Sequence, residues 1–187
     1  MSSFEVIKHK LVPAIQRPSP NFYSLEGREV SLLVVHCISL PPGQFGGPYI
    51  DQLFTNRLDP SEDPFFEQIH ELRVASHLLI RRDGEVIQYV DFDQCAHHAG
   101  KSSFDGREKC NDFSIGIELE GTDQGSYTDQ QYDILGAVSQ ALLQAYPRIT
   151  KDRIVGHSDI APGRKTDPGV GFDWNRYYGM LSGPVLA

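Results

Sequence analysis

Ser31-Leu-Leu-Val-Val-His36 is apolar at four successive positions and rich in β-branched residues. A half-exposed strand would alternate, so this one is hydrophobic on both faces and belongs inside a sheet covered on each side by helices. That reading sets a layered α/β architecture and leaves His36 at the strand's carboxyl end. Far downstream, Arg153-Ile-Val-Gly-His157 has the same form, a short strand running into a histidine. In such folds, side chains at strand ends and in the adjoining loops converge on a shared cleft.

The segments between agree with this plan. His77-Leu-Leu-Ile-Arg-Arg, Asp83-Gly84 and Glu85-Val-Ile-Gln-Tyr-Val90 read as a hairpin with a tight two-residue Asp-Gly turn. Phe113-Ser-Ile-Gly-Ile-Glu-Leu-Glu120 alternates, sending Phe113, Ile115, Ile117 and Leu119 to the core and Ser114, Gly116, Glu118 and Glu120 to the other face. Thr128-Asp-Gln-Gln131 is a capping box, and Tyr132, Leu135, Val138 and Leu142 follow at helical spacing until Pro147. A last helix starts near Phe172, with Asp173 as its N-cap. Pro41-Pro-Gly-Gln-Phe-Gly-Gly-Pro48 can only be loop, and its position after His36 makes it a candidate gate.

Composition bounds the function. The 187 residues are 40% hydrophobic and 22% charged, with no repeat or low-complexity tract, so one domain over 1–187 is expected. Seventeen basic against twenty-five acidic residues give a formal charge of −8, which repels nucleic acid. No apolar run could span a membrane, the first ten residues lack the order of a secretory signal, and the three cysteines Cys37, Cys95 and Cys110 form no motif. These features predict a cytoplasmic, monomeric protein with free thiols.

His36, His157 and Asp167 supply two imidazoles and a carboxylate, a three-ligand catalytic zinc set that leaves one position for water. Spacing alone does not single the trio out among seven histidines. Two rival chemistries are weaker. Cys37 follows His36, but consecutive strand side chains point to opposite faces, so His36 cannot readily activate it. Glu118 and Glu120 share a face, yet acids two residues apart on one strand do not flank a glycosidic bond. The pair His97-His98 lacks a nearby carboxylate or thiol to complete a closed metal site and reads as structural.

Four stretches go further: Val34-Val-His36-Cys-Ile-Ser-Leu-Pro-Pro-Gly43, Phe45-Gly-Gly-Pro48, Asp112-Phe-Ser-Ile-Gly-Ile-Glu118-Leu-Glu-Gly121 and Gly156-His157-Ser-Asp-Ile-Ala-Pro-Gly-Arg-Lys165-Thr-Asp167-Pro-Gly169. Together they closely resemble the type 2 N-acetylmuramoyl-L-alanine amidases, in particular the AmpD-type enzymes of bacterial cell-wall recycling. The resemblance runs from about Arg17 to Trp174. It implies a central mixed β-sheet flanked by helices, the fold shared with peptidoglycan recognition proteins and phage T7 lysozyme. It also implies Zn2+ held by His36, His157 and Asp167, with Glu118 as acid/base and Lys165 meeting the oxyanion. Zinc would polarise the scissile carbonyl and lower the pKa of bound water to near 7.

The substrate implied is an anhydro-muropeptide, cut between 1,6-anhydro-N-acetylmuramic acid and the L-alanine of the stem peptide. Two alternatives are an amidase for intact periplasmic peptidoglycan and a non-catalytic binding module. The complete set of ligands, acid and lysine favours an enzyme, and the missing signal favours the recycling substrate. Cys37 stands where the family suggests Asn, and His97 where an aromatic such as Trp can occur. An acidic protein needs local cations for an anionic peptide, and Arg73, Arg107 and Lys109 are the candidates. Replacing Arg107 or Lys109 with Ala should raise KM more than it lowers kcat in steady-state assays, and unchanged kinetics would remove them from the site.

Overall fold

The computed structural model describes residues 3–181; the first two and last six residues of the expected 1–187 unit lie outside it. Its centre is a six-stranded mixed sheet. The strands, numbered along the chain, are β1 (Ile15–Gln16), β2 (Leu32–Ile38), β3 (Leu78–Ile80), β4 (Val86–Gln88), β5 (Ser114–Glu120) and β6 (Ile154–Gly156). Their order across the sheet is β6-β2-β5-β3-β4-β1. Strand β5 is parallel to both neighbours, β6 is parallel to β2, and only β3 and β4 run antiparallel.

Parallel strands inside a sheet must be covered on both faces, and they are. Leu33, Val35, Ile115, Ile117 and Leu119 pack on one side against Leu135, Val138 and Leu142 of helix α2 (Asp129–Ala145) and Tyr177 of helix α4 (Trp174–Met180). On the other side Leu79 and Ile87 meet Ile50, Leu53 and Phe54 of helix α1 (Tyr49–Phe54). Leu32 and Val34 are covered there by Phe113 and by Ile160 of the short helix α3 (His157–Ile160). No described helix is long and apolar enough to cross a membrane.

Helix α2 begins as its sequence dictates. The Thr128 hydroxyl accepts from the Gln131 amide and the Gln131 side chain accepts from the Thr128 amide. Asp173 likewise caps α4 by accepting from the Arg176 amide.

Two local expectations need correction. The hairpin turn has three residues, because Arg81 donates to the Glu85 carbonyl and Gly84 to the Arg81 carbonyl. Gly84 alone in that loop has positive φ, at 83°, whereas a two-residue Asp-Gly turn needs it twice. His157 is the first residue of α3, one step beyond its strand. Glu120, on the same strand face as Glu118, is 2% exposed. Its carboxylate accepts from the Gly46 and Arg82 amides and from Arg81, which also reaches Asp51 on α1.

This last knot also fixes the 41–48 loop. Phe45, Gly46, Gly47 and Pro48 line a hollow with Arg81 and Glu120, and the His36 cleft is lined by other residues. Removing one member of a buried ion pair strands its partners. Glu120→Ala should therefore lower unfolding free energy by about 3 kcal/mol in urea titration, while leaving metal content unchanged.

Candidate active site

The in-register pairing of β2 and β5 sets His36 directly beside Glu118. Strand β6 delivers its chain end on the other flank of β2, so His157 arrives at the same edge of the sheet. The loop after α3 then returns Asp167, whose carbonyl accepts from the Ser158 amide. Ligands in sheets of this kind gather beyond the carboxyl ends of the strands, and these four side chains do so.

The three expected ligand atoms converge. His36 Nδ1 lies 2.9 Å from His157 Nδ1 and 3.1 Å from Asp167 Oδ2, and His157 Nδ1 lies 3.0 Å from the same oxygen. Tetrahedral zinc with bonds of 2.0–2.1 Å would separate its ligand atoms by about 3.3 Å. His157 Nε2 faces the Ala99 carbonyl at 3.1 Å. A carbonyl only accepts, so Nε2 carries a proton, and Nδ1 is the nitrogen turned towards His36 and Asp167. Burial pushes the His36 imidazole down to about 4, with Asp167 opposing, so His36 is neutral at pH 7. Lone pairs and a carboxylate facing each other at 3 Å fit a cation. They are the only cluster of at least three such residues that could hold a metal ion among the described residues.

Glu118 stands over this cluster. Its Oε2 is buried without a hydrogen-bond partner among the described residues, which marks a group poised for something the protein itself does not supply. Burial first and the Asp167 carboxylate second raise its pKa well above the carboxylate range, while the Lys165 ammonium pulls it back. Lys165 lines the same cleft of about 240 Å³, with Ile38, Phe54, Leu72 and Val74 forming its apolar walls.

The remaining candidates separate. His97 lines the cleft and bonds through Nδ1 to the Arg73 carbonyl at 3.0 Å, so the unexpected histidine does reach the cleft wall. Arg73 itself is exposed at the rim, its guanidinium donating to the His70 and Leu72 carbonyls. Arg107 and Lys109 do not line the cleft. Arg107 lies over the Phe113 ring at 4.2 Å, and Lys109 lines another hollow with Lys101, Glu108 and Arg164. They sit on and just after a two-strand hairpin, and a short 3-10 turn at Cys110–Asp112 separates them from the Glu118 strand. Cys37 faces the α2 side as its strand parity requires, touching the cleft only at its edge. Burial pushes its thiol up to about 12, so it is no nucleophile at neutral pH.

His98 and the Ala99 carbonyl were not singled out by sequence as parts of this site. His98 lies outside the three-residue cluster, and its Nδ1 sits 2.9 Å from His36 Nε2. The one signal was the glycine at 116 on the strand between Ser114 and Glu118.

A chain with this sheet, a donor set at its edge that could hold a metal ion and this poised carboxyl has the architecture of a hydrolase. Residues 26–170 match the N-acetylmuramoyl-L-alanine amidase family, and the chain belongs to it. Within the family the similarity runs to the AmpD type. The chain is 59% identical to the 1,6-anhydro-N-acetylmuramyl-L-alanine amidase AmpD of Escherichia coli K12, over 92% of this chain and 94% of that one. It superposes on a crystal structure of a selenomethionine derivative of AmpD with TM-score 0.92 at 55% identity, covering 95% and 99% of the two chains. AmpDh3 of Pseudomonas aeruginosa, solved in complex with an anhydromuramic pentapeptide, matches with TM-score 0.60 at 26% identity over 86% of this chain and 64% of that one.

Buried neutral histidines make stability depend on pH. An unfolded histidine protonates near 6.5, whereas burial holds His36 near 4 and, with Arg28 adding, His77 near 3. Between those values the unfolded chain binds more protons, so acid favours unfolding. The metal-free protein should lose stability steadily from pH 6.5 to 4, by up to about 1.4 kcal/mol per pH unit for each such histidine. Denaturant midpoints flat across that range would contradict the assignment.

Proposed function

We propose that the protein is a zinc-dependent amidase that hydrolyses the bond between 1,6-anhydro-N-acetylmuramic acid and the L-alanine of the stem peptide, in the cytoplasm, as part of cell-wall recycling. The observation that carries the chemistry is the convergence of two imidazole nitrogens and a carboxylate oxygen within about 3 Å, beside a buried carboxyl oxygen that has no partner. The substrate assignment is supported by the AmpD relatives, which carry that activity in their names and match the chain along almost its whole length.

His36, His157 and Asp167 would hold the zinc. When bound, the ion supplies Lewis acidity towards the scissile carbonyl and towards a water, and adds positive charge to the cluster. Glu118 takes the water's proton on the oxygen that otherwise lacks a partner and returns it to the leaving amine. Its raised pKa suits both halves of that task. A carboxylate at its ordinary value would be a weak base, and a fully protonated one could not begin. Lys165, which lines the same cleft, adds a donor where negative charge develops on the carbonyl oxygen. Ile38, Phe54, Leu72 and Val74 keep bulk water away, which strengthens each of these interactions.

Arg107 and Lys109 retain the kinetic test given above. The hollow that Lys109 shares with Lys101 and Arg164 adjoins Lys165 along the chain and offers cations to stem-peptide carboxylates leaving the cleft.

Metal analysis, with assays on anhydro-muropeptides and on intact sacculi, tests the whole reading. Glu118→Gln should keep its zinc while losing about 10²–10⁴-fold in turnover, and His157→Ala should lose both. In the active protein kcat/KM should fall with acid above the ordinary carboxylate range, because Glu118 must be unprotonated to begin. An active metal-free protein would refute the mechanism, and equal release of peptide from sacculi would refute the recycling substrate.

A further inference from the structure

The hydrogen bonds behind His36 have a direction that can be followed atom by atom. The Cys110 carbonyl can only accept, so the Ser114 hydroxyl, 2.6 Å away, donates its one proton there. Ser114 Oγ is thereby left as the acceptor for His98 Nε2 at 3.0 Å, which makes that nitrogen the donor. The two ring nitrogens face the Ser114 hydroxyl and a second imidazole, neither of them a carboxylate that would call for a second proton. Its Nδ1 is therefore an acceptor, and its hydrogen-bond partner among the described residues is His36 Nε2 at 2.9 Å. That nitrogen must donate. The consequence reaches the front of the ring, where His36 Nδ1 turns an unprotonated lone pair to His157 and Asp167.

We propose that His98 is a positioning residue for metal binding: the chain from the Cys110 carbonyl through Ser114 and His98 fixes both the orientation and the tautomer of His36. The next residue does the same for the second imidazole through its carbonyl, so His98 and Ala99 together set both histidine ligands. Gly116 provides the independent sign that the fold makes room for this. It lies on β5 between Ser114 and Glu118, and a Cβ there would stand 2.5 Å from His98 Nδ1 and 2.6 Å from its Cγ. Side chains are excluded at that position by the ring that backs the ligand. Histidine ligands to metals generally need such a partner on their second nitrogen, and its loss weakens metal binding by about 10–100-fold.

The inference rests on the zinc reading of the site and can be tested apart from turnover. Zinc affinity of the full-length protein is measured by competition with a chromogenic chelator, and the tautomers of the metal-free protein are read from ring-nitrogen chemical shifts. Ser114→Ala, which removes one oxygen, should weaken zinc binding about tenfold, and His98→Leu by about 10–100-fold. His98→Asn keeps an oxygen that can accept from His36 Nε2 and should remain nearest the unaltered protein. In the metal-free unaltered protein His36 should carry its proton on Nε2, and in Ser114→Ala both tautomers should appear. Unchanged zinc affinity in a folded His98→Leu protein overturns the proposal, as does a proton on His36 Nδ1 in the unaltered protein. Should His98→Leu fail to fold, unchanged affinity in Ser114→Ala overturns it. A protein that binds no zinc at all defeats the reading beneath it, and the tautomer measurement then decides the hydrogen-bond chain alone.

Discussion

Everything at this site depends on parallel pairing without offset between Leu32–Ile38 and Ser114–Glu120. Parallel strands place like ends together, so the last residues of β2, β5 and β6 share one edge of the sheet. His36 and Glu118 are nearest neighbours because of it, and both project to the face where α3 and the 92–113 segment leave room. A slip of one residue would turn Glu118 into the apolar layer with α2 and bring Ile117 or Leu119 against the imidazoles. The hydrophobic layer on the far side prevents that slip: Ile115, Ile117 and Leu119 are fully buried against α2. Packing energy on one face thus holds catalytic geometry on the other.

The cost of this arrangement is an unusual density of dehydrated polar groups. His36, His77 and His157 are nearly inaccessible, and Glu118 has a buried oxygen without a partner. The rings behind the site are each satisfied by the backbone or by one another. His77 accepts from the Gly116 amide and donates to the Gln94 carbonyl. Around the site itself, the buried oxygen left without a partner among the described residues belongs to Glu118, which lines the cleft, so that part of the desolvation cost lies where a cation and a water would relieve it. The Asp51–Arg81–Glu120 knot contrasts with this: its charges are also buried, but they are paired, and they anchor α1 and the 41–48 loop.

Residues whose role follows from backbone periodicity were readable from the sequence. Strand alternation separated Glu118 from Ile117 and Cys37 from His36, and motif resemblance picked His157 and Asp167 out of a chain with several other candidates. The capping box of α2 was legible because its two hydrogen bonds are local. Long side chains on the hairpin at 103–108 were not, since proximity in sequence to Glu118 says nothing of which way a two-strand excursion turns. Nor was His98, whose role depends on the tautomer state of atoms donated by three separate segments. The Asp83-Gly84 turn missed by one residue for a physical reason: an Asp-Gly pair suits two turn types, and the side chain of Asp83, capping the Glu85 amide, belongs to the longer one.

The two outermost strands of the sheet are also its shortest flanks: Ile15–Gln16 on one side and Ile154–Gly156 on the other. An exposed sheet edge offers unpaired backbone groups to any other extended chain. Here one edge offers two residues and the other turns at once into α3, so neither gives a foreign strand enough length to add on. For the substrate proposed above, itself an extended peptide, this would have a selective effect. A stem peptide would find little backbone ladder to join at either edge of this sheet and would be held by its ends and side groups. Recognition would then concentrate in the proposed cleft and not along the sheet.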